Sequence, residues 1–411
     1  MISPTTDKLD QGKHAVSINM SMIVLMLFAF FRPITVSFPV IAGVSILDLF
    51  GILMSYLILI ALFIKFKEIE LDVTSSLMIF FSIYCILSFA WGSYYRDVIR
   101  MIFPFLPFFL TKNIIKNRES AVFTIKVLFL GYIVPVIGST VMILSGTSEI
   151  QITGSMVERQ AGLSSGVHTL AHLMLFYSYC FVLYLLWVKE KSFFRVLGYT
   201  LLFLSILCLI KTYTRTVFLG GIFFWFSQLF FWKRRIFFIL LTALLFASPL
   251  FYDDIKNIVF QERAFSKHTE EVDLNTATSG RIWIWKYNME IFSRMPITRQ
   301  ILGVGLGKEL QNVPGERYKA WVGSHNDYLS LMIMTGVIGL VLYILIYLSV
   351  IYNIARSSLD RKVVIFGLIV IMSVMLMNFV SNSYIVRFQM AQLLWFLIGL
   401  LYSQFSMKKG S

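Results

Sequence analysis

Charge is scarce in this sequence. Only 14% of its 411 residues are Asp, Glu, Lys or Arg, where soluble domains carry about 25%. With 58% hydrophobic residues, that excludes an ordinary soluble domain. Acidic residues are scarcer still, 22 against 36 basic, for a net charge of +14. Such an excess could suit a nucleic-acid binder. Here the basic residues lie in small clusters between apolar runs rather than in one patch, so no nucleic acid is expected as a partner. Cysteine is nearly absent: Cys85, Cys180 and Cys208 sit inside apolar runs at no metal-ligand spacing. They read as packing residues and say nothing about redox compartment. No cleavable leader is expected either. The segment before Val16 is polar and mixed in charge, and no small-residue cleavage site follows the first apolar run. There is no clear internal repeat and no low-complexity linker.

What the chain has in abundance is apolar sequence near the ~20 residues that cross a bilayer. The runs are 16–31, 34–47, 49–64, 74–92, 98–111, 121–144, 167–188, 195–210, 215–232, 236–252, 326–352, 363–380 and 384–406. Pro39, Gly43 and Asp48 mark 34–47 and 49–64 as one long, bent or tilted segment, which leaves about twelve transmembrane helices. Splitting that segment would invert everything downstream. Charge favours the merge. Every second connection is then basic: Lys65 and Lys67; Lys112, Lys116 and Arg118; Lys189, Lys191 and Arg195; Lys233, Arg234 and Arg235; Arg356, Arg361 and Lys362. By the positive-inside rule these connections, and both chain ends, are cytoplasmic. The fold class expected is an all-α polytopic membrane protein, a single transmembrane domain over 1–411.

Two polar segments then lie outside, 146–166 and 253–324, the second a large external loop inserted before the third-last helix. Within it Ile282, Trp285, Met289 and Phe292 recur at helical spacing, with Trp283 and Tyr287 between them. That predicts an amphipathic helix along the outer membrane surface, starting near Thr278 or Ser279, where free backbone N–H groups beside Arg281 would suit an anion. Gly303-Val304-Gly305-Leu306-Gly307 resembles a phosphate loop, but no strand precedes it and no Lys-Ser/Thr pair follows; a tight turn bringing backbone near the site is the ordinary reading.

The stretch Ser324-His325-Asn326-Asp327 closes that loop and opens an apolar run. Ser324 with Asp327 predicts a capping box, which puts His325 and Asn326 in the first helical turn. Gly336 and Gly339 follow on one face, where a neighbouring helix can approach. Taken alone, a helix-terminal histidine serves as readily as a water-facing cap. As a functional group it would be a general base, kept neutral by the helix N-terminus. His168 and His172, one turn apart, have no third ligand nearby and read as satisfied polar packing residues. Glu158 and Asp327 are candidate acids or bases, with no paired carboxylates of the glycosidase kind. Single outer cations, Arg96, Arg100, Lys211 and Arg215 among them, fit snorkelling to headgroups. Together with Arg159, Arg281 and Arg387 they concentrate positive charge where little is expected, and a diphosphate fits it well.

His325-Asn326, nine residues, then Gly336-Val-Ile-Gly339 resembles the signature of the O-antigen ligase and polymerase family. Arg281-Ile-Trp283, Gly303-x-Gly305-x-Gly307, Thr214-Arg215-Thr216 and Glu158-Arg159-Gln-Ala-Gly162 are similar to further features of that family. The resemblance implies a GT-C-like, metal-independent, inverting glycosyltransferase of the bacterial inner membrane, with its site facing the periplasm or outside. The donor implied is an undecaprenyl-diphosphate-linked glycan. Arg215 and Arg281 would hold the diphosphate and His325 would act as, or position, the base; Arg159, Asn326, Lys211, Arg100 and Arg387 are the further substrate-binding candidates. The acceptor is a sugar of the lipid A core for a ligase, or the next lipid-linked repeat for a polymerase, and both stay open. No cofactor is expected; membrane lipids are the other partners. A transporter of an anionic solute or glycan is the alternative, opposed by how few ionisable residues, chiefly Asp48 and Lys126, fall within the spans.

Overall fold

The structure, a computed structural model, describes residues 19–37, 40–41, 44–152, 158–164, 166–189, 192–247, 281–308, 324–357, 359–385 and 387–406. Most of the 253–324 loop, the helix start expected near Thr278, and the basic residues of both termini lie outside the described residues. Among the described residues there are fifteen α-helices and two short β-hairpins. The helices are α1 (Met20–Ser37), α2 (Ile46–Ile64), α3 (Val73–Leu87), α4 (Tyr95–Ile102), α5 (Leu106–Ile114), α6 (Arg118–Leu144), α7 (Val167–Trp187), α8 (Phe193–Thr212), α9 (Arg215–Trp232), α10 (Arg234–Ala247), α11 (Arg281–Arg294), α12 (Ile297–Leu302), α13 (Asp327–Arg356), α14 (Arg361–Val380) and α15 (Phe388–Ser406). The hairpins pair β1 (Val40–Ile41) with β2 (Val44–Ser45) and β3 (Ile150–Ile152) with β4 (Glu158–Gln160).

Among the described residues, six helices are long and apolar enough to cross a membrane, by length and composition: α3 with its 3₁₀ extension, α6, α7, α8, α13 and α14. Shorter apolar helices cover 20–35, 49–64 and 388–403. The fold is therefore all-helical and multi-pass. The other expected runs fall on α4 and α5, on α9 and on α10, which are helical but shorter, broken or less apolar. Pro104 and Pro107 account for the break between α4 and α5, since each removes a backbone donor from the ladder. The expected bent segment over 34–64 is not one helix. Residues up to Ser37 finish α1, the β1–β2 hairpin turns the chain, and α2 packs back against α1.

Helix α7 is the axis of the bundle. Buried residues make up 89% of its apolar stretch, against 28% for α8, and a helix apolar on all sides belongs inside. Around it the chain ends alternate. The N-termini of α7, α9, α11, α13 and α15 and the C-termini of α8 and α14 meet at one end, through the side-chain contacts described below. At the other end, about 27 Å away along α9, Lys233, Arg234 and Arg235 share one cleft with Arg361 and Lys362.

Helix α13 is broken within its length. Gly336 has φ +66° and ψ −175°, a region nearly reserved for glycine, so the helical ladder lapses for a turn. The freed carbonyls are satisfied from outside. Val304 N–H donates to Ile333 O and Gly305 N–H to Met334 O, both at 3.0 Å, and the Tyr84 hydroxyl donates to Thr335 O at 2.7 Å. A Cβ added at Gly336 would overlap the Ile301 carbonyl, and one added at Gly303 the Met334 carbonyl. A neighbouring helix was expected at this face; Gly336 meets the last turn of α12, at Ile301, together with the glycine turn that follows it, and Gly339 meets Tyr84 of α3. The glycine turn splints the helix below His325 instead of reaching the histidine itself.

Candidate active site

Helix α13 starts two residues later than a capping box on Ser324 would place it. Asn326 is the N-cap: its Oδ1 accepts from Tyr328 N–H and Leu329 N–H, each at 3.0 Å. Ser324 is tied up with Ser330 and donates to Asn326 O at 3.0 Å. His325 thus lies outside the helix, at φ +49°, one of two non-glycine residues among those described with left-handed backbone. Such a conformation is uncommon for histidine and is held here by its neighbours. Trp285 on α11 fixes the turn by donating from Nε1 to Ser324 O at 2.9 Å. Burial first, and then the fields of Arg281 and Arg387, lower the His325 pKa from 6.5 to about 4. The imidazole is therefore neutral at ordinary pH.

The cations reach this turn along separate elements. Arg281, first residue of α11, donates from Nη1 to Thr216 Oγ1 at 3.3 Å and to Val380 O, joining the start of α9 to the end of α14. Arg215 opens α9 one residue before Thr216 and is half-buried. Arg159 on β4 is 4% exposed; its Nε donates to Thr212 O and its Nη2 to Thr214 Oγ1, both at 3.0 Å. It clamps the 212–214 turn, where Tyr213 has φ +47°, and so fixes where Arg215 projects. Arg387 donates from Nε to Asn382 O at 2.7 Å.

Asp327 sets the position of Arg387. Its buried Oδ2 accepts from three successive amides of the α14–α15 loop: Ser383 at 2.8 Å, Tyr384 at 3.0 Å and Ile385 at 3.0 Å. Three N–H donors compensate a carboxylate that burial alone would disfavour. A side chain so engaged holds the loop instead of serving as a free acid or base. This tie was not legible in the sequence; the only signal was an acid beginning an apolar run.

Of the sequence-expected residues, the fold gathers Arg159, Arg215, Arg281, His325 and Arg387 at one end of the bundle. Asn326 is there too, but its oxygen serves the cap. Lys211 is exposed in the last turn of α8, next to the Thr212 carbonyl that Arg159 grips. Arg100 stands apart on α4, 3.9 Å from Asp97, which packs at Gly307. The two histidines read as satisfied packing residues are only partly satisfied among the described residues. His172 Nδ1 is 2.7 Å from His168 O, but His172 Nε2 and His168 Nδ1 are buried and have no partner among the described residues. His168 lies within the electrostatic reach of Arg159, Arg281 and Arg387 together. On α11 the inward face is Trp285, Asn288 and Phe292; Met289, expected to share it, is 48% exposed, and Trp283 and Tyr287 stack on each other at 5.1 Å. The side chain of Glu158 lies outside the described residues, and among the described residues no three His, Cys, Asp or Glu gather as metal ligands.

Residues 200–344 match the family model Wzy_C, described as O-antigen ligase. The match begins within α8 and ends within α13, so it takes in Lys211, Arg215, Arg281, the glycine turn, His325 and the Gly336 break. No curated protein matches the chain.

Proposed function

We propose, from the match of residues 200–344 to the O-antigen ligase family, that the chain is a member of the O-antigen ligase and polymerase family and a membrane glycosyltransferase using a lipid-diphosphate-linked glycan as donor. The observation that carries the reading is His325: a half-buried, neutral imidazole on a strained turn, in the fields of Arg281 and Arg387, at the end of the bundle where Arg215 begins its helix. An acceptor sugar hydroxyl gives its proton to His325 as its oxygen bonds to the anomeric carbon. The bond from that carbon to the diphosphate breaks on the opposite face, and the electron pair leaves with the lipid diphosphate. One displacement inverts the anomeric centre, with no cofactor and no metal in the step. Arg215 and Arg281 meet the charge that develops on the leaving phosphate; fixed donors of this kind are worth about 10²–10³ in rate.

The donor is proposed to be undecaprenyl-linked and the site to face the outer side of a bacterial inner membrane. The basic cleft shared by Lys233–Arg235 and Arg361–Lys362, at the other end of the bundle, supports that orientation. Glycan analysis of a deletion strain separates the acceptors. Free polymer that never reaches the lipid A core indicates a ligase, and core capped by one repeat unit a polymerase. His325→Ala expressed from its own locus should reproduce the deletion phenotype at normal membrane abundance; a full glycan ladder in that strain would refute the assignment.

A further inference from the structure

Among the described residues, several buried polar atoms near the site, besides Gln160 Oε1 and Ser164 Oγ, have no hydrogen-bond partner. On α7 they are His168 Nδ1 and His172 Nε2; on the α14–α15 loop, Asn382 Oδ1 and Tyr384 Oη; at the start of α13, Asp327 Oδ1. His172 is 1% exposed, and Asp327 and Tyr384 are fully buried. Direct contacts tie the three elements together. The His172 ring meets the Tyr384 ring edge-on at 5.5 Å, and the Tyr384 amide donates to Asp327. His168 and His172 are linked one turn apart through the His168 carbonyl. Folded proteins leave few buried polar groups unpaired, and each such group calls for an explanation.

The chemistry of these atoms selects a ligand. Carboxylate and amide oxygens accept hydrogen bonds, a neutral imidazole accepts one at one nitrogen and donates at the other, and the tyrosine hydroxyl does both. What these atoms lack, among the described residues, is mainly uncharged donors. A second anion would meet the Asp327 carboxylate, and an apolar group would leave every atom as it is. The hydroxyls of a sugar ring supply what is missing.

Position selects which sugar. In a single displacement the nucleophile approaches opposite the leaving group. The diphosphate side is the Arg215–Arg281 pair at the head of α9 and α11. The Asp327–Tyr384–His172 group lies instead against the turn of His325, the residue that must touch the incoming hydroxyl. We propose, on the transferase reading above, that His168, His172, Asn382 and the free oxygen of Asp327, with the Tyr384 ring packed against His172, form the acceptor subsite for the hydroxyls of the sugar that receives the glycan. His168, in the field of three site arginines, stands where the acceptor and the diphosphate-linked sugar meet.

The test uses full-length protein in nanodiscs and, as two candidate acceptors tried separately, the repeat-unit oligosaccharide and the lipid A core oligosaccharide released by mild acid from the organism's own surface glycan. Calorimetric titration without donor should give binding by the wild type and at least tenfold weaker binding by His168→Gln and by Asn382→Ala, two changes on the rim of the subsite. In the transfer assay the same variants should raise the acceptor KM about tenfold and keep the donor KM within twofold. Melting temperatures within a few degrees of wild type show that each variant folds. Variants that bind and use the acceptor normally overturn the subsite, as does a rise in donor KM alone, which would put the donor sugar there. A wild type that binds either oligosaccharide through these residues yet transfers nothing refutes the transferase reading and leaves the glycan subsite standing.

Discussion

A base pressed by two arginines should become a stronger base once those arginines are occupied. In the free protein the pKa of His325 falls from 6.5 to about 4 through three causes, of which burial is the largest. The two arginine fields therefore account for at most two-thirds of the fall, roughly 1.7 pH units or about 2.3 kcal/mol. A bound diphosphate neutralises those fields, while burial persists or deepens. The acid limb of kcat/KM reports the free enzyme and that of kcat the complex with substrate. The first should lie near pH 4 and the second higher, by up to about 1.7 pH units. Below each limb His325 is imidazolium, cannot take a proton, and the rate falls tenfold per pH unit; above it the rate is flat. The assay is initial-rate transfer over pH 3.5–8 with purified protein, each sample returned to pH 7 to confirm recovery. Arg387→Gln removes the smaller field and should raise the kcat/KM limb by less than about one pH unit. Coincident limbs, or a kcat limb on the acid side of the other, would refute the reasoning.

Four further outcomes are expected. Gly336→Ala puts a side chain on a backbone that costs about 1–3 kcal/mol for any other residue, and drives its Cβ into the Ile301 carbonyl, so membrane levels and melting temperature should both fall sharply. Arg281→Lys keeps the charge but loses the planar guanidinium, whose Nη1 joins Thr216 to Val380 and whose forked geometry suits a diphosphate; transfer should drop at least tenfold, as read by glycan chain length, and full activity would reduce Arg281 to a surface cation. Asp327→Ala leaves three buried loop amides unpaired, a loss of roughly 3 kcal/mol or more, and should destabilise the protein and abolish transfer together. Reporter fusions should place residue 234 inside and residue 260 outside; the reverse would invert the orientation.

Much of the scaffold was legible because length and apolarity are local properties. The runs 121–144, 167–188 and 215–232 differ from α6, α7 and α9 by no more than three residues at either end. The candidate site was legible as a list of cations and one histidine, since charge on an external face stands out against an apolar background. What escaped was set by contacts between distant segments. The cap fell on Asn326 and not Ser324 because Ser324 is taken by Ser330 and Trp285. The break in α13 needs the glycine turn of another segment to fill it, and a hairpin, not a bent helix, joins α1 to α2. The histidines of α7 read as packing because spacing says nothing of what lies opposite each nitrogen.

The joint at Gly336 has a consequence for what evolution can alter there. Its fastenings are mostly main chain to main chain, two amides and two carbonyls, with Tyr84 as the one side-chain rivet. Letters on either side of the seam can drift freely, as long as nothing bulkier than hydrogen is placed where the two backbones touch. A motif of bare glycines at fixed intervals is the trace such a seam leaves in a sequence. It records a weld between segments, and the chemistry it serves is spelled elsewhere.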